Sequence, residues 1–219
     1  MESKKITKTS KDVISPKKQD IPLSYVKFRN PWVFWENYSS KSVQLNYEEA
    51  NKQIFKWNDI ITFFQFWNKY PGSNLNNIFY DGNSVKYYFK EKLRIIAINI
   101  FKDGIKPLWE DEQNNGGKYF QIDYLINPLS LNEFTKKANH NWKKLALCTM
   151  GGAFPGTEFI NGIRFIDKTN FERGNKILFR IEIWISKNIQ EKTLNELKDF
   201  FEKSLGHIVV KDIKIESKK

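Results

Sequence analysis

Two apolar runs, Leu93 to Phe101 and Tyr119 to Tyr124, bracket a polar stretch that neither can absorb. Each run has the length and the Ile, Phe and Tyr content of a β-strand. Between them lies Lys102-Asp103-Gly104-Ile105-Lys106-Pro107-Leu108-Trp109-Glu110-Asp111-Glu112-Gln113-Asn114-Asn115-Gly116-Gly117-Lys118, a loop whose turn residues are Gly, Pro and Asn. It sets one Trp directly against Glu110, Asp111 and Glu112. A loop Trp is unusual, because its large apolar surface is normally buried. On these residues alone two readings stay open. Either Trp109 plugs the core and the acids are solvated loop charge, or Trp109 and a carboxylate grip a flat base rich in N–H donors.

The other segments constrain the fold. Ile177, Phe179, Ile181 and Ile183 alternate with Leu178, Arg180, Glu182 and Trp184, so Arg180 and Trp184 project from one face of a strand. Its hairpin partner is Ile160 to Asp167, across a polar loop over 168–176. Pro31-Trp32-Val33-Phe34-Trp35-Glu36 reads as the first strand and Ile208 to Ile215 as the last. Ser39 to Asn46 and Asn74 to Asn83 read as loop. Asn58 and Asp59 can cap a helix in which Ile60, Phe63, Phe64 and Trp67 fall at helical spacing, with Phe63 and Trp67 toward the core. A second helix, Leu131 to Met150, aligns Phe134, Ala138, Trp142, Leu145 and Cys148 on one face. A third, Gln190 to Leu205, buries Leu194, Leu197 and Phe201. Strands joined mostly as hairpins, with helices inserted, predict an α+β fold: an antiparallel sheet with helices on one face. Residues 1–20, with six lysines against three acids, read as a disordered basic tail, and 21–219 as a single domain.

Composition narrows the function. The chain carries 18 Phe, 9 Tyr and 7 Trp among 219 residues, more rings than one core of this size needs. A formal net charge of +11 points to an anionic partner such as nucleic acid or phosphate. Cys148 is the sole cysteine and sits in an apolar helical run, which excludes an internal disulfide or a cysteine zinc site and marks a buried thiol. His140 and His207 are too few for a His-rich metal site. No base stands beside a nucleophile and no carboxylates have metal spacing, so a binding protein without metal or cofactor is expected rather than an enzyme. No 18-residue apolar run and no secretory apolar core are present, so a soluble, cytoplasmic protein with no membrane partner is expected.

Trp32-Val33-Phe34-Trp35, the Trp57–Tyr70 helix, Phe101–Lys118, the Trp142 helix and the Arg180–Trp184 strand occur in the order of a known family. Over roughly residues 21 to 216 the chain resembles the translation initiation factor 4E family, the mRNA cap-binding proteins. The most specific piece is Lys102-Asp103-Gly104-Ile105 followed by Trp109-Glu110-Asp111-Glu112 and Gly116-Gly117.

The resemblance implies a curved antiparallel sheet with three helices on its convex face and a cap slot on the concave one. It implies a monomer that binds 7-methylguanosine between two rings, Trp109 and Tyr47. Tyr47 stands where the family normally has Trp, as in the 4E-homologous branch, while Trp32 keeps the form of the standard branch. Glu110 matches the carboxylate that reads guanine N1–H and N2–H, and Trp184 the ring against the N7 methyl group. Asp111 and Glu112 are then loop structure. Arg180 and Lys118 match triphosphate ligands. For a further one Lys168 is the first choice, with Arg173 and Lys176 as rivals in a longer loop. On the dorsal helix Ile60, Ile61 and Phe64 occupy the places of a partner-binding Val, Glu and Trp, so the apolar patch survives without its acid. The implied partners are capped mRNA and a scaffold protein of the initiation factor 4G or 4E-binding type. The implied role is translation initiation; the alternatives are a 4E-homologous translational repressor and a general single-stranded RNA-binding module.

Overall fold

The computed structural model describes residues 26–40, 42–70, 75–81, 84–88, 93–126, 131–153, 155–169, 177–205 and 211–214. The expected N-terminal tail therefore lies outside the described residues, as do Arg173 and Lys176.

Seven strands form one antiparallel sheet: β1 (Lys27–Ser39), β2 (Asn51–Asp59), β5 (Arg94–Lys102), β6 (Lys118–Ile126), β7 (Ile160–Asp167), β8 (Ile177–Ile185) and β9 (Lys211–Lys214). Their spatial order is β2-β1-β5-β7-β8-β6-β9 in a curved, open sheet. The α+β class expected from the segment order is observed. A four-residue helix, α3 (Asn76–Phe79), and a two-residue strand, β3 (Tyr80–Asp81), form within the stretch read as loop, and β3 pairs with β4 (Ser84–Val85) just beyond it.

One face of the sheet carries the main core. Phe34, Ile98, Ile100, Phe120, Ile122, Ile163, Phe165, Phe179, Ile181 and Ile183 project from it, alternating along their strands. Three longer helices cover them: α2 (Ile60–Lys69), α4 (Leu131–Gly151) and α5 (Glu191–Ser204). Phe63 and Trp67 of α2, Ala138, Trp142 and Leu145 of α4, and Leu194, Leu197 and Phe201 of α5 are all buried, at the spacing that predicts them. Cys148 is only half-buried, and burial pushes its thiol pKa up. Asp59 is the cap of α2: its side chain accepts from the Thr62 N–H at 2.8 Å and from the Thr62 hydroxyl at 2.7 Å.

Sequence reading misses strand β2. Asn51–Asp59 buries only Trp57 and exposes Ile54 and Phe55, so its alternation is too weak to find. It forms because β1 pairs with it from Lys27 opposite Asp59 to Asn37 opposite Asn51, leaving it as a sheet edge. Among the described residues no helix is long and apolar enough to cross a membrane.

The strand order controls the site. β5 and β6 are consecutive in the chain, yet β7 and β8 lie between them. Loop 103–117 must therefore bridge three strand spacings, roughly 14 Å, across the ends of both intervening strands.

The opposite face carries a small second cluster of Phe101, Tyr119 and Trp184, with Ile105 and Ile213 against it. Gly162 makes room for it: a Cβ there would be driven into the Phe101 ring. Gly162→Ala is expected to lower unfolding free energy by about 2 kcal/mol in urea titration. Gly151→Ala, where a Cβ meets open space, should leave it unchanged or slightly raise it.

Candidate functional site

The bridging loop is held together by its own acid and amide. Asp111 Oδ2 accepts from the Lys106 N–H at 2.9 Å and Oδ1 from the Gln113 N–H at 3.0 Å. Fully buried Asn114 donates to the carbonyls of Lys106 and Leu108 at 2.9 and 2.8 Å, one on each side of Pro107. From the start of β7, Asn161 donates to the Gln113 carbonyl at 2.7 Å and to Asn114 Oδ1 at 3.0 Å. Gly117 lies against the Ile185 carbonyl at the end of β8, too close for any Cβ. Asp111 is thus loop structure, as the sequence reading expects, and Glu112 points to solvent.

What the loop presents is Trp109 and Glu110. Trp109 is 37% exposed, its ring edge-on to Trp184 at 5.9 Å and tilted against Tyr119 at 5.9 Å. It is neither core plug nor free side chain, but a ring supported on one side and open on the other. The Glu110 carboxylate is exposed and has no hydrogen-bond or ion-pair partner among the described residues.

Tyr47 comes to the same place from the other end of the sheet. It opens the four-residue helix α1 (Tyr47–Ala50), capped by Asn46, whose side chain accepts from the Glu49 N–H while Glu49 accepts from the Asn46 N–H, both at 2.9 Å. Asn51 donates to the Tyr47 carbonyl at 3.0 Å and accepts from Asn37 of β1 at 2.6 Å, tying the turn to the sheet. The hydroxyl of Tyr47 is buried and has no partner among the described residues. Burial pushes its pKa up to about 12; Arg164 opposes this, and Asp111 and Glu110 add to it. The phenol is thus near Arg164, Asp111 and Glu110.

Beneath them runs a ladder of polar pairs on the open face. Trp184 stands opposite Tyr119, Glu182 opposite Gln121, and Arg180 opposite Asp123. Trp184 is fully buried by Trp109, Tyr119, Phe101 and the Arg164 guanidinium, whose carbon lies 5.3 Å from its ring centre. The Trp184 N–H donates to Glu182 at 3.0 Å. Arg164 pairs with the same Glu182 oxygen at 3.4 Å and donates from Nε to Asn99 at 2.9 Å. Burial lowers the Arg164 pKa, against the pull of Glu182, Tyr47 and Tyr119. Sequence reading misses Arg164, Asn99, Asp123 and Gln121. The signal for the floor was Glu182, which falls between Arg180 and Trp184 on their face of β8.

The structure brings some expected residues together and separates others. Arg180 lies four residues from Trp184, roughly 13 Å along the same face. Lys168 extends the ladder beyond β7, its N–H donating to the Leu178 carbonyl at 2.8 Å, and by alternation it stands on the Arg180 side, exposed. Lys118 belongs to the alternation of Phe120 and Ile122, on the helix-covered face, and lies 3.6 Å from Glu191 at the start of α5. On the dorsal side Ile61 is 37% exposed, Ile60 and Phe64 are half-buried, and the Lys143 ammonium sits 5.7 Å from the Phe64 ring centre.

Comparison with known proteins fits this architecture. The Dictyostelium discoideum eukaryotic translation initiation factor 4E is 24% identical over 179 residues, 81% of this chain and 59% of that protein. The chain covers about half the length of several other curated relatives. The solved complex of Ascaris suum eIF4E-3 with m7G cap superposes with a TM-score of 0.63 at 16% identity, covering 88% of this chain and 93% of that one. Schistosome eIF4E complexed with m7GpppA and 4E-BP gives 0.63 at 15%, covering 87% and 88%. At these identities the superpositions carry the fold. The sequence model of eukaryotic initiation factor 4E matches residues 27–218, nearly the whole chain, and the protein belongs to that family.

Proposed function

We propose that this protein binds the 7-methylguanosine cap of mRNA and serves translation initiation, acting by recognition rather than by catalysis. The observation that carries the reading is the pairing of a half-open Trp109 with a Glu110 that has no partner among the described residues, on a loop held by Asp111 and Asn114. Methylation at N7 gives the guanine a formal positive charge, so stacking it between Trp109 and Tyr47 adds cation–π attraction of ~0.5–2 kcal/mol. Stacking itself contributes roughly 1–3 kcal/mol per base. Glu110 accepts from the N1–H and N2–H edge, which selects guanine.

Trp184 is the ring assigned to the methyl group. It is fully covered, so contact requires Trp109 to turn aside from its edge. The distance from Trp184 to Arg180 suits a triphosphate running along β8 to Arg180 and Lys168. Lys118 joins them only when its ammonium leaves Glu191. Capped relatives support this reading: the Ascaris protein was solved with m7G cap and the schistosome protein with m7GpppA and 4E-BP. By the same analogy the dorsal patch of Ile60, Ile61 and Phe64 takes a scaffold or 4E-binding partner. A repressor of the 4E-homologous type is the second reading, favoured by Tyr47 in place of Trp; it predicts weaker cap binding and no rescue of cells lacking the standard factor.

Trp fluorescence should quench on titration with 7-methylguanosine triphosphate and respond little to unmethylated guanosine triphosphate; equal responses would remove the cation–π argument. Glu110→Ala should weaken the methylated ligand more than about tenfold in the same titration. Asn114→Ala should cost about 2 kcal/mol of stability in urea unfolding and weaken cap binding together with it, because the loop loses its internal amide.

A further inference from the structure

Arg180, the cation placed to meet phosphate, is already engaged. Asp123 stands directly across from it on β6, and the Arg180 Nε donates to Asp123 Oδ1 at 2.8 Å. Gln121, two residues back on the same face, donates to Asp123 Oδ2 at 2.7 Å and fixes the carboxylate in that position. Both members of the pair are partly open, with 20% of the Arg180 and 27% of the Asp123 side chain exposed. Only one edge of the guanidinium is committed: among the described residues its terminal nitrogens have no hydrogen-bond partner. The next pair along the ladder, Arg164 with Glu182, is balanced in the same way. Among the described residues Arg180 and Arg164 are thus each matched by a carboxylate, in a chain of net charge +11.

A carboxylate in this place has two opposing effects on an incoming phosphate chain. Holding the Arg180 side chain still removes an ordering cost, and that gain is the same whatever the ligand's length. Repulsion between the Asp123 charge and the ligand grows with every phosphate charge brought near it. The ordering gain is fixed while the repulsion grows, so each added phosphate contributes less than it would beside an uncompensated arginine.

We propose that Asp123 is a specificity-determining residue of the slot, one that limits how much affinity each added phosphate contributes, so that the site selects by base more than by phosphate number. The proposal rests on the cap-binding reading for its biological ligand, but the effect on phosphate stands on the Asp123–Arg180 pair itself. The 5′ ends favoured relative to a site with an uncompensated arginine are those with short phosphate chains.

The test uses the full chain and Asp123→Asn, which keeps the shape and removes the charge: the amide oxygen still accepts from Arg180, and the amide N–H donates to Gln121 once that side-chain amide is turned over. Asp123→Ser is the second variant, and circular dichroism checks both. Affinities for 7-methylguanosine monophosphate, 7-methylguanosine triphosphate and inorganic tripolyphosphate are measured by calorimetry. The triphosphate-to-monophosphate affinity ratio is expected to rise about fivefold or more in Asp123→Asn, and tripolyphosphate binding to strengthen by a similar factor. An unchanged ratio, an equal change for both nucleotides, or weaker tripolyphosphate binding would overturn the proposal, as would no tripolyphosphate binding by any form. Stronger tripolyphosphate binding by Asp123→Asn, with no preference of any form for the methylated nucleotides over tripolyphosphate, would sink the cap-binding reading and leave the role of Asp123 standing.

Discussion

Everything at the site hangs from the buried amide of Asn114. The sheet order forces the chain to leave β5, cross over the ends of β7 and β8, and enter β6. A polar loop given that span has no strand to pair with, so its backbone groups need partners of its own making. Asn114 supplies them by donating to two carbonyls within the loop while its oxygen takes the Asn161 N–H from β7. One side chain thus closes the loop on itself and fastens it to the strand it crosses. Trp109 and Glu110 are held out from the sheet as a result, on backbone that has little freedom left.

The two faces of the sheet solve different problems. The helix-covered face buries aliphatic and aromatic side chains in the ordinary way, with Trp142 and Phe165 meeting edge to face at 5.8 Å. The open face buries a second, mixed layer: Trp184 and Phe101 next to Arg164, Glu182 and Asn99. Charges so placed are tolerated because each has a partner within its own ladder. The aromatic support behind Trp109 and the polar floor beneath Tyr47 are consequently one continuous layer.

Legibility followed the strength of the local pattern. The β8 alternation announced which side chains share the open face, and the helical spacing of Phe63 with Trp67, of Ala138, Trp142 and Leu145, and of Leu194, Leu197 and Phe201 announced three covered faces. Strand β2 left no such mark, because it is an edge that buries only Trp57. Its identity depends on β1, not on its own residues. Helix α1 was written in Asn46 and Glu49 as a capping box, but four residues are too few to show a helical period. The pairing of Arg164 with Glu182 and of Asp123 with Arg180 depends on cross-strand register, which no single segment encodes. The same holds for Lys118: its place in the chain puts it beside the loop, but the parity of β6 turns it toward α5.

The balanced floor also divides the protein's electrostatics by range. Its charges lie within hydrogen-bonding or ion-pair distance of their opposites and are partly shielded from water, so added salt has little hold on them. The chain's net charge of +11 attracts an anionic polymer from a distance, over a Debye length of about 8 Å at physiological ionic strength. On the proposed cap-binding reading, raising the ionic strength weakens the approach of an anionic strand while leaving the arrangement that meets its end intact. Long-range attraction and short-range pairing then respond to different solution conditions in the same protein.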